Sequence, residues 1–258
     1  MSSMLPAPTF PDLQDRGVLI TGGGSGIGAA LTEAFAMQGA KVAFIDVAEE
    51  PSRQLASDLS NQSKHAVHYL KADLRNVSEV RAAVDDAVAR LGGLGVLINN
   101  AARDDRHEFL DMSEDYWDEN QAINLKHMAF AAQAAAPALI RDGRGAIVNM
   151  SSIAFMLNMG AMPSYTTAKA GVLGLTKSLA GRLGPEGVRV NAILPGMVVT
   201  ERQLELWLTE DGMAAMRDRQ CLKRNLLPAD IVGPCLFLAS SASAGMTAQW
   251  ITVDGGVL

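Results

Sequence analysis

Cysteine is nearly missing from this chain. Cys221 and Cys235 are the only two in 258 residues. Their separation fits neither a zinc ribbon nor a redox pair. Both read as packing residues, and no disulfide framework is expected, which suits a reducing, cytoplasmic setting. Histidine is scarce too: His65, His68, His107 and His127 are the only four. His65 and His68 fall on an expected strand rather than in a metal-binding pattern, so no metal is expected. A basic excess is absent, the net charge being -6, which argues against nucleic acid and anionic membranes as partners. No apolar run approaches a membrane span. Residues 1–11 carry three prolines and no apolar stretch behind a basic start, so residues 1–12 read as a loose arm and not a secretory signal. The nucleophile elbow G-x-S-x-G and the S-x-x-K motif of serine hydrolases are both missing.

What is present is apolar material, 48% of the chain, enough for a sizeable core. It is arranged as short apolar runs between longer helical stretches. Residues 18–20, 42–45, 96–98, 146–148 and 188–194 read as strands covered on both faces. Residues 65–70 are a weaker strand and 250–253 a last one. Helices are expected over 26–38, 52–60, 78–90, 113–139, 165–183 and 229–239. This alternation predicts an α/β fold, a single Rossmann-type doubly wound parallel sheet of about seven strands flanked by helices. No linker, charge block or repeat divides residues 1–258, so one catalytic domain is expected. The charged stretch 201–219 interrupts the alternation after a strand. With its flanks, about 200–226, it reads either as a substrate lid or as a solvated surface helix.

The first strand runs into Thr21-Gly22-Gly23-Gly24-Ser25-Gly26-Ile27-Gly28. Glycine permits positive φ and a close approach of backbone to ligand. The following helix offers free N–H groups and a positive dipole end to a pyrophosphate. The second strand ends at Asp46, placed to accept bonds from the adenosine ribose hydroxyls and to repel a 2′-phosphate. No Lys or Arg lies between Gly22 and Gly28 or directly after Asp46. NAD is therefore expected rather than NADP.

With these motifs the sequence resembles the short-chain dehydrogenases/reductases. Thr21-Gly22-x-x-x-Gly26-x-Gly28 is similar to their cofactor turn, which also places Ser25 and Ile27 at the cofactor. Asp73-Leu74 is similar to the adenine-contacting pair. Asn99-Asn100-Ala101-Ala102 stands where the family has Asn-Asn-Ala-Gly, with Ala102 in place of glycine. Asn124 matches the asparagine of the proton relay, and Ser152, Tyr165 and Lys169 match the catalytic set. Pro195-Gly196, Val198 and Thr200 match the segment that embraces the nicotinamide. The resemblance runs from about residue 17 to 258. A closer resemblance is to bacterial sugar dehydrogenases of the D-xylose 1-dehydrogenase kind, carried by Asp104-Asp105-Arg106-His107, by residues 165–171 and by residues 220–223. Arg103 and the apolar run after Ser152 depart from that pattern. The family also implies a homotetramer, with residues 113–139 and 165–183 packing across subunits.

Oxidising an alcohol requires a hydride acceptor, a base for the hydroxyl proton and a group that holds the hydroxyl. Free tyrosine, with a pKa of about 10, is a poor base near neutrality. A cation one helical turn away favours the phenolate, and Lys169 lies at that spacing from Tyr165. Asn124 is expected to hold a water joining Lys169 to solvent. Ser152 is expected to bond the substrate oxygen, and strand alternation sends its neighbour Ser151 to the opposite face.

Loops at the C-terminal strand ends supply Arg103, His107, Asn158, Arg202 and Gln203 as substrate candidates. Asp105 and Arg106 lie beside them. This polar set suits a polyol, a sugar or a small carboxylate, with Arg103 or Arg202 as carboxylate partners. Phe155, Met156, Leu157, Met159, Met162 and Met197 suit an apolar ligand, a subunit contact or the nicotinamide instead. The leading expectation is oxidation of an aldose by NAD+ at its anomeric carbon, giving a lactone. The alternatives are a secondary-alcohol dehydrogenase of a sugar acid or 2-keto-3-deoxy sugar acid, and a non-catalytic NAD-binding protein. A 3-oxoacyl thioester reductase shares the fold but usually prefers NADP, against Asp46.

Overall fold

A computed structural model describes residues 8–258. Its centre is one sheet of seven parallel strands in the order β3-β2-β1-β4-β5-β6-β7. The strands are β1 (Gly17–Thr21), β2 (Lys41–Asp46), β3 (His68–Lys71), β4 (Val96–Asn99), β5 (Ala146–Met150), β6 (Arg189–Pro195) and β7 (Trp250–Val253). The doubly wound expectation therefore holds. The chain reverses direction across the sheet between β1 and β4, the switch point where such sheets bind ligands.

Alternation along the buried strands feeds two cores. Val18 and Ile20 of β1 join Leu31 and Phe35 of α1 (Gly26–Met37) and Ile231 and Leu236 of α9 (Pro228–Ala239). Leu19, on the other face, joins Val80 and Val84 of α3 (Val77–Leu91), Ala131 and Ala135 of α5 (His127–Asp142) and Leu183 of α6 (Pro163–Leu183). Burying one such side chain is worth about 1.5–3 kcal/mol.

Three element boundaries differ from expectation. The second helix, α2 (Glu49–Ser60), starts before Pro51, because a first-turn proline forfeits only an N–H that has no helical partner. The weak third strand begins at His68, so His65 lies outside it and its Nε2 meets Asp15 Oδ1 at 2.6 Å. The expected helix 113–139 is not one helix. Ser113 caps α4 (Glu114–Gln121) by accepting from the N–H of Tyr116. A π turn, Ala122–Lys126, then joins α4 to α5. Such bulges occur often at functional sites, and this one contains Asn124.

Of the arm expected over residues 1–12, residues 8–12 are described. The Phe10 N–H donates to Gln38 Oε1 at 2.8 Å, and Leu13 is fully buried. Residues 1–7 lie outside the described residues. The cysteines are both free, Cys235 buried as expected and Cys221 exposed contrary to it. Among the described residues no helix is long and apolar enough to cross a membrane.

Candidate active site

The glycine turn is built by contacts that leave no room for side chains. Gly22 and Gly26 take φ of 64° and 53°, a region glycine enters without penalty. A Cβ on Gly28 would lie 1.8 Å from the Gly22 carbonyl oxygen. The Asn100 amide spans this turn, donating to the carbonyls of Thr21 and Gly22 at 3.1 and 2.9 Å. Thr21 Oγ1 accepts from the N–H groups of Asn100 and Ala101 at 3.0 and 3.1 Å. The ends of β1 and β4 are thus locked together beneath the turn. Ser25 is exposed at the start of α1, and Ile27 is half-buried in its first turn.

Asp46 ends β2 beside this turn. Its carboxylate accepts from the N–H of Gly24 at 3.0 Å and of Ala48 at 3.1 Å. On the opposite flank, Gly196 lies close enough to Asp254 that a Cβ would sit 2.7 Å from the Asp254 Cα. Pro195 is buried at the end of β6, and the Val198 side chain is buried in the core. Thr200 faces Gly26, its methyl 3.2 Å from where a Cβ would stand. These contacts converge on a cradle of backbone and small residues fit for a dinucleotide. Leu74 is buried, and Asp73 pairs with Arg75 at the edge.

Ser152, Tyr165 and Lys169 converge beyond the end of β5. Ser151 Oγ turns away and donates to the Lys169 carbonyl oxygen at 2.7 Å, tying α6 to the strand. Ser152 Oγ accepts from the Ala154 N–H at 3.1 Å and faces the Tyr165 hydroxyl. Lys169 is 1% exposed. Its Nζ donates to the Met150 carbonyl oxygen at 2.9 Å and lies 5.6 Å from the Tyr165 ring centroid. Burial pushes the Lys169 ammonium down to about 7, the Asp104 carboxylate opposing it. Burial also pushes the Tyr165 phenol up, and Asp104 adds to that, while Ser152 and Arg106 draw it down.

Asn124 is buried, and its amide is fully engaged. Oδ1 accepts from the Arg103 N–H at 2.9 Å. Nδ2 donates to the Arg103 carbonyl at 2.9 Å and to Asn120 O and Oδ1 at 3.0 and 3.1 Å. The Asn124 side chain therefore clamps the loop after β4. His127, at the start of α5, is buried near Lys169; burial and that charge push its imidazole down to about 3.

The polar candidates meet over this centre. Arg103 pairs with Asp105 and, at 3.2 Å, with Glu119 of α4. Arg202 and Gln203 belong to α7 (Glu201–Leu206), capped by Thr200. Arg202 pairs with Asp105 at 3.3 Å, and the Gln203 amide donates to Asp104 Oδ2 at 2.7 Å. The 201–219 stretch is broken into α7 and α8 (Glu210–Arg219) by residues 207–209. His107 packs against Tyr116 with ring centroids 4.6 Å apart, and its N–H donates to the Ala161 carbonyl at 2.9 Å. Asn158 is exposed in a turn with φ of 53°. Of the apolar run, Phe155 and Leu157 pack on a small core with Ile153 and Leu194, Met162 is buried and Met156 is exposed.

An ion-pair chain crosses this region. Asp73 pairs with Arg75, Arg75 with Glu119, Glu119 with Arg103, Arg103 with Asp105, and Asp105 with Arg202. Glu119 and Asp104 were not among the substrate candidates read from the sequence, whereas Arg106 belonged to the polar set at the strand ends. The one signal for Asp104 was the polar run 103–107.

A family model described as enoyl-(acyl carrier protein) reductase matches residues 22–258. The chain belongs to the short-chain dehydrogenase/reductase family. As a short-chain dehydrogenase/reductase it is an oxidoreductase acting on CH–OH groups, and relatives sharpen its place in the family. It is 62% identical over 253 residues, 98% of this chain and 99% of the other, to a protein of Rhizobium meliloti (strain 1021) described as a probable galactose dehydrogenase. It is 43% identical over 247 residues, 96% of this chain and 97% of the other, to the D-xylose 1-dehydrogenase of Caulobacter vibrioides (strain NA1000 / CB15N). A crystal structure from Sinorhizobium meliloti 1021, described as a candidate short-chain alcohol dehydrogenase, superposes with a TM-score of 0.91 at 32% identity, covering 96% of this chain and 98% of that one.

Proposed function

We propose that this short-chain dehydrogenase/reductase oxidises an aldose at its anomeric carbon with NAD+, releasing a lactone. The observation that carries the reading is the placement of a polar loop, residues 103–107, over Ser152, Tyr165 and Lys169. Full-length similarity to proteins described as galactose and xylose dehydrogenases supports the sugar class.

Gly22, Gly26, Ile27 and Gly28, with Ser25, would hold the pyrophosphate. Asp46 would take the adenosine ribose, Asp73-Leu74 the adenine, and Asn100-Ala101 with Pro195-Gly196, Val198 and Thr200 the nicotinamide end. A Cβ on Gly24 would stand 2.8 Å from Asp46 Oδ2. No basic side chain can replace Gly24 there without displacing Asp46, which supports NAD over NADP. When bound, the cofactor supplies the hydride acceptor and a positive ring beside the phenol.

Ser152 holds the anomeric hydroxyl by donating to its oxygen. Tyr165, as phenolate, accepts the hydroxyl proton while the C1 hydride leaves and the C1–O bond becomes a carbonyl. Lys169 stabilises the phenolate. Burial pushes the Tyr165 phenol up and the Lys169 ammonium down, and a bound positive ring would favour the phenolate. A water joining Lys169 to solvent would be held by main-chain groups of the π turn, since the Asn124 amide is committed to Arg103 and Asn120.

The sugar-acid alternative rested on Arg103 or Arg202 as carboxylate partner, and both are already paired with acidic side chains. We further read the chain as one catalytic unit in a homotetramer of cytoplasmic enzyme, with α7 and α8 as a lid. The test is formation of reduced cofactor across aldoses, sugar acids and polyols, with NAD+ and NADP+ in parallel. Turnover of an aldose with NAD+ is expected. Activity confined to sugar acids, or to NADP+, would overturn it.

A further inference from the structure

The loop between β4 and α4 is fixed at both ends. Asn124 clamps the Arg103 backbone from both sides, and the His107 N–H donates to the Ala161 carbonyl. Residues 104–106 are thereby held across the mouth of the Ser152–Tyr165 centre, facing α7. The charged groups there divide into two kinds. Arg103, Arg202 and Asp105 neutralise one another and Glu119. Asp104 and Arg106 do not join them.

Asp104 Oδ2 accepts from the Gln203 amide at 2.7 Å. Among the described residues its Oδ1 has no hydrogen-bond partner, although the carboxylate is close enough to Tyr165 and Lys169 to act on the charge of both. Arg106 stacks its guanidinium 4.6 Å over the ring centroid of Trp207, the residue that ends α7. Its Nη1 is buried without a partner, as is Trp207 Nε1. An orphaned buried donor costs about 1–3 kcal/mol until something satisfies it. An acceptor with no protein partner and a buried donor with none thus stand on one loop, two residues apart, near enough to Tyr165 to act on its charge.

We propose that Asp104 and Arg106 form a subsite that reads the hydroxyls of an uncharged sugar, the carboxylate accepting from one and the guanidinium, seated on Trp207, donating to another. This assignment rests on the aldose reading above and narrows it to neutral sugars. A hydroxyl both donates and accepts, so it satisfies this mixed pair. A substrate carboxylate would meet the Asp104 charge with Arg103 and Arg202 already engaged, leaving Arg106 alone to offset the repulsion. Trp207 positions Arg106 and closes the lid contact from the α7 side.

The test uses the full chain with the neutral aldose that wild type turns over best, its single-deoxy analogues and the matching uronic acid. Binding of NADH, followed by fluorescence, checks that the cofactor site is intact. Asp104→Asn should lower kcat/KM for the aldose about ten- to hundredfold, the scale of one hydrogen bond to a charged group. NADH binding should be unchanged. One ring position should carry a deoxy penalty in wild type that vanishes in Asp104→Asn, and the uronic acid should gain relative to the neutral sugar. Arg106→Gln should erase the penalty at a different position, and serves as the second variant if Asp104→Asn fails to bind NADH. Wild-type kcat/KM and full deoxy penalties in both variants would overturn the subsite while leaving the aldose reading intact. No aldose turnover by wild type would overturn the aldose reading itself, and the subsite with it.

Discussion

The backbone N–H of Gly24 donates to Asp46 Oδ2 at 3.0 Å, so the acidic end of β2 is tied directly to the glycine turn it flanks. The bond fixes the carboxylate where a cofactor ribose would arrive. A 2′-phosphate would meet that charge with no compensating cation in the turn. Asp46→Ala is expected to weaken NAD+ and to raise the ratio of kcat/KM for NADP+ over NAD+ by about ten- to hundredfold, the scale of losing one or two charge-assisted bonds and a repulsion. Steady-state kinetics with both cofactors check it, and an unchanged ratio would remove Asp46 from cofactor choice.

Tyr165→Phe keeps the ring and its packing but removes the hydroxyl proposed as the base. Turnover should fall by about a hundred- to ten-thousandfold, the usual worth of general acid–base catalysis, with NADH binding nearly intact. Stopped-flow oxidation beside a binding titration separates the two, and preserved turnover would refute the assigned base.

Sugar oxidation consumes a base and should speed up with rising pH. The reverse reduction needs a protonated phenol and should slow over the same range. Burial raises the Tyr165 phenol, and Lys169, with Nζ 5.6 Å from the Tyr165 ring centroid, is the cation proposed to offset that. Lys169→Met should therefore lower the rate and move the rise of the oxidation profile to higher pH. A profile of wild-type midpoint in the variant would contradict the pairing.

His127 is held down to about 3 by burial and by Lys169, against about 6.5 in an unfolded chain. Between those values the unfolded state binds the proton that the folded state refuses. Stability contributed by the neutral imidazole is therefore present above pH 6.5 and is lost as pH falls toward 3, by at most about 1.4 kcal/mol per pH unit. His127→Leu should lose less melting temperature than wild type between pH 7 and pH 4. Parallel melting curves check the difference, and equal losses would mean His127 protonates freely.

Gly28→Ala would place a methyl 1.8 Å from the Gly22 carbonyl oxygen. The turn must open to admit it, and NADH affinity should fall at least about tenfold while the sheet remains folded. Fluorescence titration and far-ultraviolet circular dichroism report the two separately.

The sheet was legible because parallel strands covered on both faces leave unbroken apolar runs, as in Val18 to Ile20 and Val96 to Ile98. The cofactor turn and Ser152, Tyr165 and Lys169 were legible because their chemistry sits at fixed local spacings. The π turn at residues 122–126 was not, since one extra residue in a helical turn leaves the apolar periodicity almost untouched. The engagement of Asn124 with Arg103 spans 21 residues, and the seating of Arg106 on Trp207 joins two separate loops. Contacts of that kind follow from the fold and carry no local pattern. The helix expected from residue 52 begins at Glu49, since Pro51 in its first turn forfeits only an N–H that has no helical partner.

Glu119 Oε1 receives two guanidinium groups, those of Arg75 and Arg103. It is the keystone of a row of alternating charges that begins at Asp73 and finishes at Arg202 of α7. Remove it and two like charges are left facing each other across the gap, so the row does not shorten by one link but splits into halves that push apart. The grip of α7 on the loop beneath it is then in part ionic, through Arg202 and Asp105. It should slacken as added salt shortens the reach of each charge, and the mouth of this enzyme is tied to the ionic strength of its surroundings.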